Sequence, residues 1–164
     1  MSARPRTKGN AAEARVAAWL RDHGWPDCRS TRNAQGGGGT ATSDITATDL
    51  PWSIEVKDAT VPRLAEWWAQ ATRQARIEHR VPLLVWHPAR WPRDPGQWLA
   101  FVACDGDDLD ETVLLVDPAT PMTALPAVAA AVLTPAVGQT GLHVVLPDGV
   151  HLIACRLTTL AGER

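Results

Sequence analysis

The segment Pro82-Leu83-Leu84-Val85-Trp86 is apolar at every position. A strand with one wet face alternates apolar and polar residues, so an unbroken apolar run belongs to a strand buried on both faces. The run is therefore consistent with a buried central strand. Two segments read as helices. Ala11 to Asp22 reads as a helix, with Ala14, Val16, Ala17, Trp19 and Leu20 at apolar spacing and Gly24 as its stop. Val61–Arg80 reads as a longer one, opened by Pro62 and carrying Leu64, Trp67, Trp68, Ala71, Ala75 and Ile77. Between them lie three strand signals, Cys28–Arg32, Ser43–Thr48 and Trp52–Lys57. The expected order is helix, strand, strand, strand, helix, strand.

A chain of 164 residues, 45% apolar and 21% charged, can bury one domain's core. The longest apolar runs, Thr112–Val116 and Ala127–Leu133, fall well short of the ~18–20 residues of a membrane span. The basic start, Met1 to Lys8, has no apolar stretch behind it and does not read as a secretory signal. Three widely spaced cysteines, Cys28, Cys104 and Cys155, fit a reducing, cytoplasmic setting without disulfides. Charge is uneven. Residues 1–93 hold fourteen Arg and Lys against nine Asp and Glu, and residues 94–164 hold two against nine. A basic first part suits a polyanionic partner. Residues 1–7 are expected as a mobile basic arm, 8–87 as the core, and 88–164 as a β-rich extension on the same domain. In that extension Gln97–Cys104 and Thr112–Val116 read as strands, Thr123–Leu133 as a short helix, and Leu142–Leu146 with Val150–Leu157 as a hairpin around Pro147-Asp148-Gly149.

The chemistry sits in Trp52–Lys57. Trp52, Ile54 and Val56 take one face of that strand, Ser53, Glu55 and Lys57 the other. Asp44 lies at the start of the preceding strand and can reach Glu55 if the two strands pair. Converging carboxylates repel unless a cation lies between them, and oxygen donors of this kind suit Mg²⁺ or Mn²⁺. A nearby lysine can steady a water or a developing charge at a phosphodiester. Glu-x-Lys alone describes many solvated strand faces. Asp44 eleven residues earlier, the glycine run Gly36–Gly39 leading into it, and Glu13 on the first helix set this pair apart.

Taken in order, Lys8-Gly9-Asn10-Ala11-Ala12-Glu13, Arg29-Ser30, the glycine-rich loop, Ser43-Asp44-Ile45, Ile54-Glu55-Val56-Lys57, Trp68-Ala69-Gln70-Ala71 and Pro82-Leu83-Leu84-Val85 resemble the PD-(D/E)XK nuclease superfamily. Within it they are most similar to the archaeal-type (Hjc-like) Holliday junction resolvases and their phage relatives. The resemblance spans about residues 8–87. It implies an α/β, restriction-endonuclease-like fold: a mixed central sheet flanked by helices (an α-β-β-β-α-β core), here with a C-terminal β-rich extension. It implies Asp44 and Glu55 as metal carboxylates, the Val56 carbonyl as a further metal ligand, and Lys57 as the catalytic lysine. Glu13 completes or supports the metal site, and Gln70 is the helical glutamine near the scissile phosphate, with Gln74 one turn on. The implied cofactor is Mg²⁺, with Mn²⁺ substituting. The implied partner is DNA, as four-way junctions held by a homodimer. Arg4, Arg6, Lys8, Arg29 and Arg32 are candidates for neutralising backbone phosphates. Ser43 stands where the motif often has proline.

Two other readings stay open. One keeps the chemistry on other DNA, as a repair or restriction-type nuclease or an exonuclease. The other is a DNA-binding protein of the same fold without turnover. Elsewhere, Trp67 and Trp68 point about 100° apart on a helix, so one of them is expected at a dimer interface or DNA surface. The five histidines show no tight pairing, and His79 and His87 read as structural. The cysteines lack zinc spacing.

Overall fold

The computed structural model describes residues 4–31, 42–105, 113–117, 119–133 and 140–161, without the side chains of residues 4–8 and 161. Helix α1 (Arg4–Asp22) leads into the short strands β1 (Arg29–Ser30) and β2 (Ile45–Thr46) and the long strand β3 (Trp52–Ala59). Helix α2 (Leu64–Glu78) crosses back to β4 (Val81–Pro88). Then follow β5 (Leu99–Ala103), β6 (Val113–Leu115), α3 (Leu125–Val132), β7 (Gly141–Val145), β8 (His151–Arg156) and α4 (Leu157–Ala161). The six-element core order read from the sequence is present.

Among the described residues all strands join one mixed sheet in the order β1-β2-β3-β4-β5-β8-β7-β6. β1, β2 and β3 are antiparallel neighbours. β3 and β4 are parallel from Trp52↔Val81 to Ala59↔Pro88, which a crossover through α2 makes possible. β5 and β8 continue the sheet antiparallel to β4, and β7 pairs antiparallel with β8. The architecture is α/β and consistent with the restriction-endonuclease-like class.

The apolar run does what its composition requires. Leu83 and Val85 pack with Val16 and Leu20 of α1, and Ile54 and Val56 of β3 join them. Leu84 and Trp86 point the other way, onto Leu64, Trp67 and Trp68 of α2 and Leu125 and Ala129 of α3. The same alternation turns Glu55 and Lys57 toward α2.

Several boundaries differ from the sequence reading. α1 begins at Arg4, so the stretch expected as an arm is helical from there. Pro5 is compatible because a first-turn residue has no intrahelical acceptor for its N–H. α2 ends at Glu78, where His79 takes a left-handed φ of 53° and donates its N–H to Ala75. Gln97 lies in a 3-10 turn, Pro95–Gln97, rather than a strand. A Cβ on Gly96 there would meet Thr158 Cγ2 at 2.6 Å and Trp19 Nε1 at 3.0 Å, so glycine lets this turn press between α1 and α4.

Two side-chain expectations are corrected. Trp67 and Trp68 are both buried in one cluster, Trp67 meeting Trp86 edge-on at 5.9 Å. A core-facing helical stripe is itself about 100° wide, so consecutive indoles can straddle it. The histidines do contain a pair: His143 Nε2 lies 3.0 Å from His151 Nδ1 across the β7–β8 hairpin. His87 stacks on Trp98 at 4.4 Å, a packing role. Cys28 and Cys155 are free and buried, and burial pushes the Cys28 thiol up to about 11. Among the described residues no helix is long and apolar enough to cross a membrane.

Candidate active site

β2 is only two residues long, and its separation from β3 builds the site. The Asp44 N–H donates to the Ile54 carbonyl at 2.8 Å, and its carbonyl accepts from Thr31 N–H at 2.9 Å, so its main chain is pinned between β1 and β3. Its side chain then takes the next place along β3: Oδ2 accepts the Val56 N–H at 2.9 Å. Within a strand the N–H and C=O of one residue face the same edge. The Val56 carbonyl therefore opens onto the edge where Asp44 lies.

Glu55 is 1% exposed and faces α2. Its Oε1 accepts from Lys57 Nζ and, at 2.8 Å, from Gln70 Nε2. Lys57 Nζ also donates to Gln70 Oε1 at 3.1 Å, closing a three-residue ring of hydrogen bonds. Burial pushes the Glu55 carboxyl up to about 6, with the Asp44 charge adding to the rise. The Lys57 ammonium and the Gln74 amide act against it. Glu55 Oε2 is buried without a hydrogen-bond partner among the described residues. A buried carboxylate oxygen with no hydrogen-bond partner among the described residues, in a group that feels a second carboxylate's charge, has the chemistry of a cation site. Asp44, Glu55 and the Val56 carbonyl are all oxygen donors, which fits Mg²⁺ or Mn²⁺.

The remaining sequence candidates divide. Glu13 is 1% exposed on α1, and its Oε2 accepts the Ser30 hydroxyl at 3.0 Å. Among the described residues no three His, Cys, Asp or Glu side chains form a ready-made metal cage. Gln74, expected near DNA, is 7% exposed and donates to the Thr42 carbonyl at 3.2 Å. Arg29 lines a cavity of ≈ 460 Å³ with Thr31, Thr42, Thr46, Glu78 and Arg80. Arg4, Arg6 and Lys8 fall in the first turns of α1. Arg32 and the Gly36–Gly39 loop lie outside the described residues.

Sequence reasoning missed Glu78 and Arg80. Glu78 Oε1 accepts the Ser43 N–H at 2.6 Å, immediately before Asp44. Its signal was the spacing Gln70, Gln74, Glu78, one polar row on a helix otherwise buried through Leu64, Trp67, Trp68, Ala71 and Ala75.

No curated protein and no solved structure matches this chain. The model of a family described as phage putative PDDEXK endonuclease matches residues 4–113, which carries the likeness past Pro88 and through β5. That span is most of the chain and includes Asp44, Glu55, Lys57 and Gln70. The chain belongs to this phage PDDEXK endonuclease family, and it is a nuclease of the PD-(D/E)XK superfamily.

Proposed function

We propose that this nuclease is a divalent-metal-dependent endonuclease that hydrolyses phosphodiester bonds in branched DNA, as a homodimeric Holliday junction resolvase. The observation that carries the metal-dependent reading is the buried Glu55 carboxylate held by Lys57, raised by the Asp44 charge and with its Oε2 unpartnered among the described residues. The junction preference rests on the likeness of the first half of the chain to archaeal-type resolvases. Asp44, Glu55 and the Val56 carbonyl would hold Mg²⁺, or Mn²⁺ in its place.

When bound, the ion lowers the pKa of a water and polarises the scissile phosphate. The protein groups do the rest. The Lys57 ammonium, steered by Gln70, offsets negative charge developing on the phosphorane. Gln70 holds Glu55 in one rotamer by its 2.8 Å hydrogen bond. Arg29, which lines the cavity with Thr31 and Thr42, would neutralise backbone phosphate beside the site, and Arg4, Arg6, Lys8 and Arg32 are further candidates for phosphate contacts on the strength of their charge. Two copies about a two-fold axis would place two such sites for paired nicks.

The test is a gel assay of purified protein on a synthetic four-way junction, a nicked duplex and a single strand, with Mg²⁺, Mn²⁺ or chelator. Symmetric junction nicking that chelator abolishes is the expected result. Equal cutting of all three substrates would move the reading to a repair-type nuclease. Junction binding without cutting under any metal would move it to a non-catalytic binding protein.

A further inference from the structure

The short pairing of β2 with β3 has to be maintained, because two antiparallel neighbours gain hydrogen bonds by zipping further along each other. β3 runs from Trp52 to Ala59, yet its β2 partner ends at Ile45 and Thr46. The N–H of Val56 is the next donor on that edge. It is reserved for a side chain, Asp44 Oδ2. The main chain just before Asp44 is drawn toward α2 instead. Gln74 Nε2 takes the Thr42 carbonyl at 3.2 Å, and Glu78 Oε1 takes the Ser43 N–H at 2.6 Å. Thr31 secures the Ser43 carbonyl from the other side.

Three features mark this as more than incidental packing. Gln70, Gln74 and Glu78 are spaced by four on one face of α2, so the helix that grips Glu55 and Lys57 through Gln70 also grips the Asp44 segment. Both contacts cross more than thirty residues of sequence. Glu78 lies in the last turn of α2, where the helix dipole disfavours a negative charge. Its hydrogen bond to Ser43 is charge-assisted and short, which offsets that disadvantage.

We propose that Gln74 and Glu78 are positioning residues: they hold the Thr42–Ser43 main chain against α2, stop β2 from extending along β3, and so keep the Val56 N–H for the Asp44 carboxylate. This deepens the metal-dependent reading above and rests on it. One rigid helix then sets both carboxylates, Glu55 through Gln70 with the Gln74 amide also acting on it, and Asp44 through Gln74 and Glu78, so that E78A reports on the Asp44 segment alone. Releasing the segment lets a main-chain carbonyl compete for Val56 and turns Asp44 out of place.

The test uses the full chain with Q74L, E78A and E78Q. Mn²⁺ binding is followed by calorimetry, and Ser43 and Val56 amide exchange by NMR. E78A and Q74L should weaken Mn²⁺ binding by about tenfold or more, the usual range for groups that orient metal ligands. E78A should also remove protection from the Ser43 amide. E78Q keeps an acceptor oxygen and should recover most of the affinity, which general destabilisation would not produce. The proposal is overturned if Q74L and E78A fold and bind Mn²⁺ as the wild type does. It is equally overturned if the wild-type Ser43 amide exchanges like an exposed loop amide, a result that needs no variant to fold. If the wild type itself neither binds Mn²⁺ nor cleaves DNA, the metal-dependent reading falls; the Ser43 amide still reports whether the clamp exists.

Discussion

The Asp44 carboxylate accepts the main-chain N–H of Val56 at 2.9 Å, filling a position in the β3 ladder that a neighbouring strand would otherwise occupy. One oxygen is thereby fixed by the sheet itself, and the side chain is aimed along the edge that carries the Val56 carbonyl. D44A should lower cleavage by about 10²–10³-fold or more, the scale for losing one preorganised electrostatic group. It should leave DNA affinity nearly unchanged. It also strands a buried donor, at roughly 1–3 kcal/mol of stability. Strand cleavage and a gel-shift titration on the same DNA check both halves; equal cleavage by mutant and wild type would sink the assignment.

Among the described residues Lys57 donates to Glu55 and Gln70, and it is the cation of that hydrogen-bonded ring. K57M should reduce the single-turnover rate by about 10²–10³-fold. K57R should not restore it, because a planar guanidinium cannot occupy the point position of an ammonium. Lys57 also pulls the Glu55 carboxyl down. The acid limb of the pH–rate profile should therefore move to higher pH in any variant with residual activity.

Glu55 carries the reverse of the usual carboxylate linkage. Its folded pKa, about 6, lies above the ordinary 4.5, so the unfolded chain releases this proton more readily. The group's contribution to stability is complete below pH 4.5 and is lost as pH rises through 6. In metal-free protein, E55Q should melt at a higher temperature than the wild type at pH 7.5. The difference should close near pH 4.5, while the variant is inactive. Circular-dichroism melts across pH 4.5–8 in chelator measure it, and a wild type more stable than E55Q at pH 7.5 would contradict it.

His143 works in the opposite sense. Burial first, and then the charge of His151, hold its imidazole below the ordinary 6.5. Its contribution is present above pH 6.5 and is lost as pH falls, because the unfolded chain takes up the proton first. H143L should flatten the decline in melting temperature between pH 7 and 5. An unchanged slope would show that the lowered His143 pKa has no consequence for folding.

How much of this was legible beforehand follows from the range of each interaction. Period-two alternation placed Ile54 and Val56 against one layer and Glu55 and Lys57 against the other, because a strand's faces are determined by neighbours in sequence. The apolar run of β4 likewise marked a strand buried in the middle of the sheet. The Gln70 ring, the Asp44–Val56 bond and the grip of Gln74 and Glu78 on Thr42 and Ser43 span 12 to 35 residues, and local pattern carries no information at that separation. The placement of Trp67 and Trp68 in one cluster and the His143–His151 pair also depended on which surfaces met. The sequence by itself determined the layers and the chemistry available at the strand edge. Only the tertiary structure decided which partners the carboxylates take, setting Glu13 on Ser30, Asp44 on the Val56 N–H and Glu55 on Gln70, because those contacts are a property of how β1, β2, β3 and α2 pack rather than of any one of them.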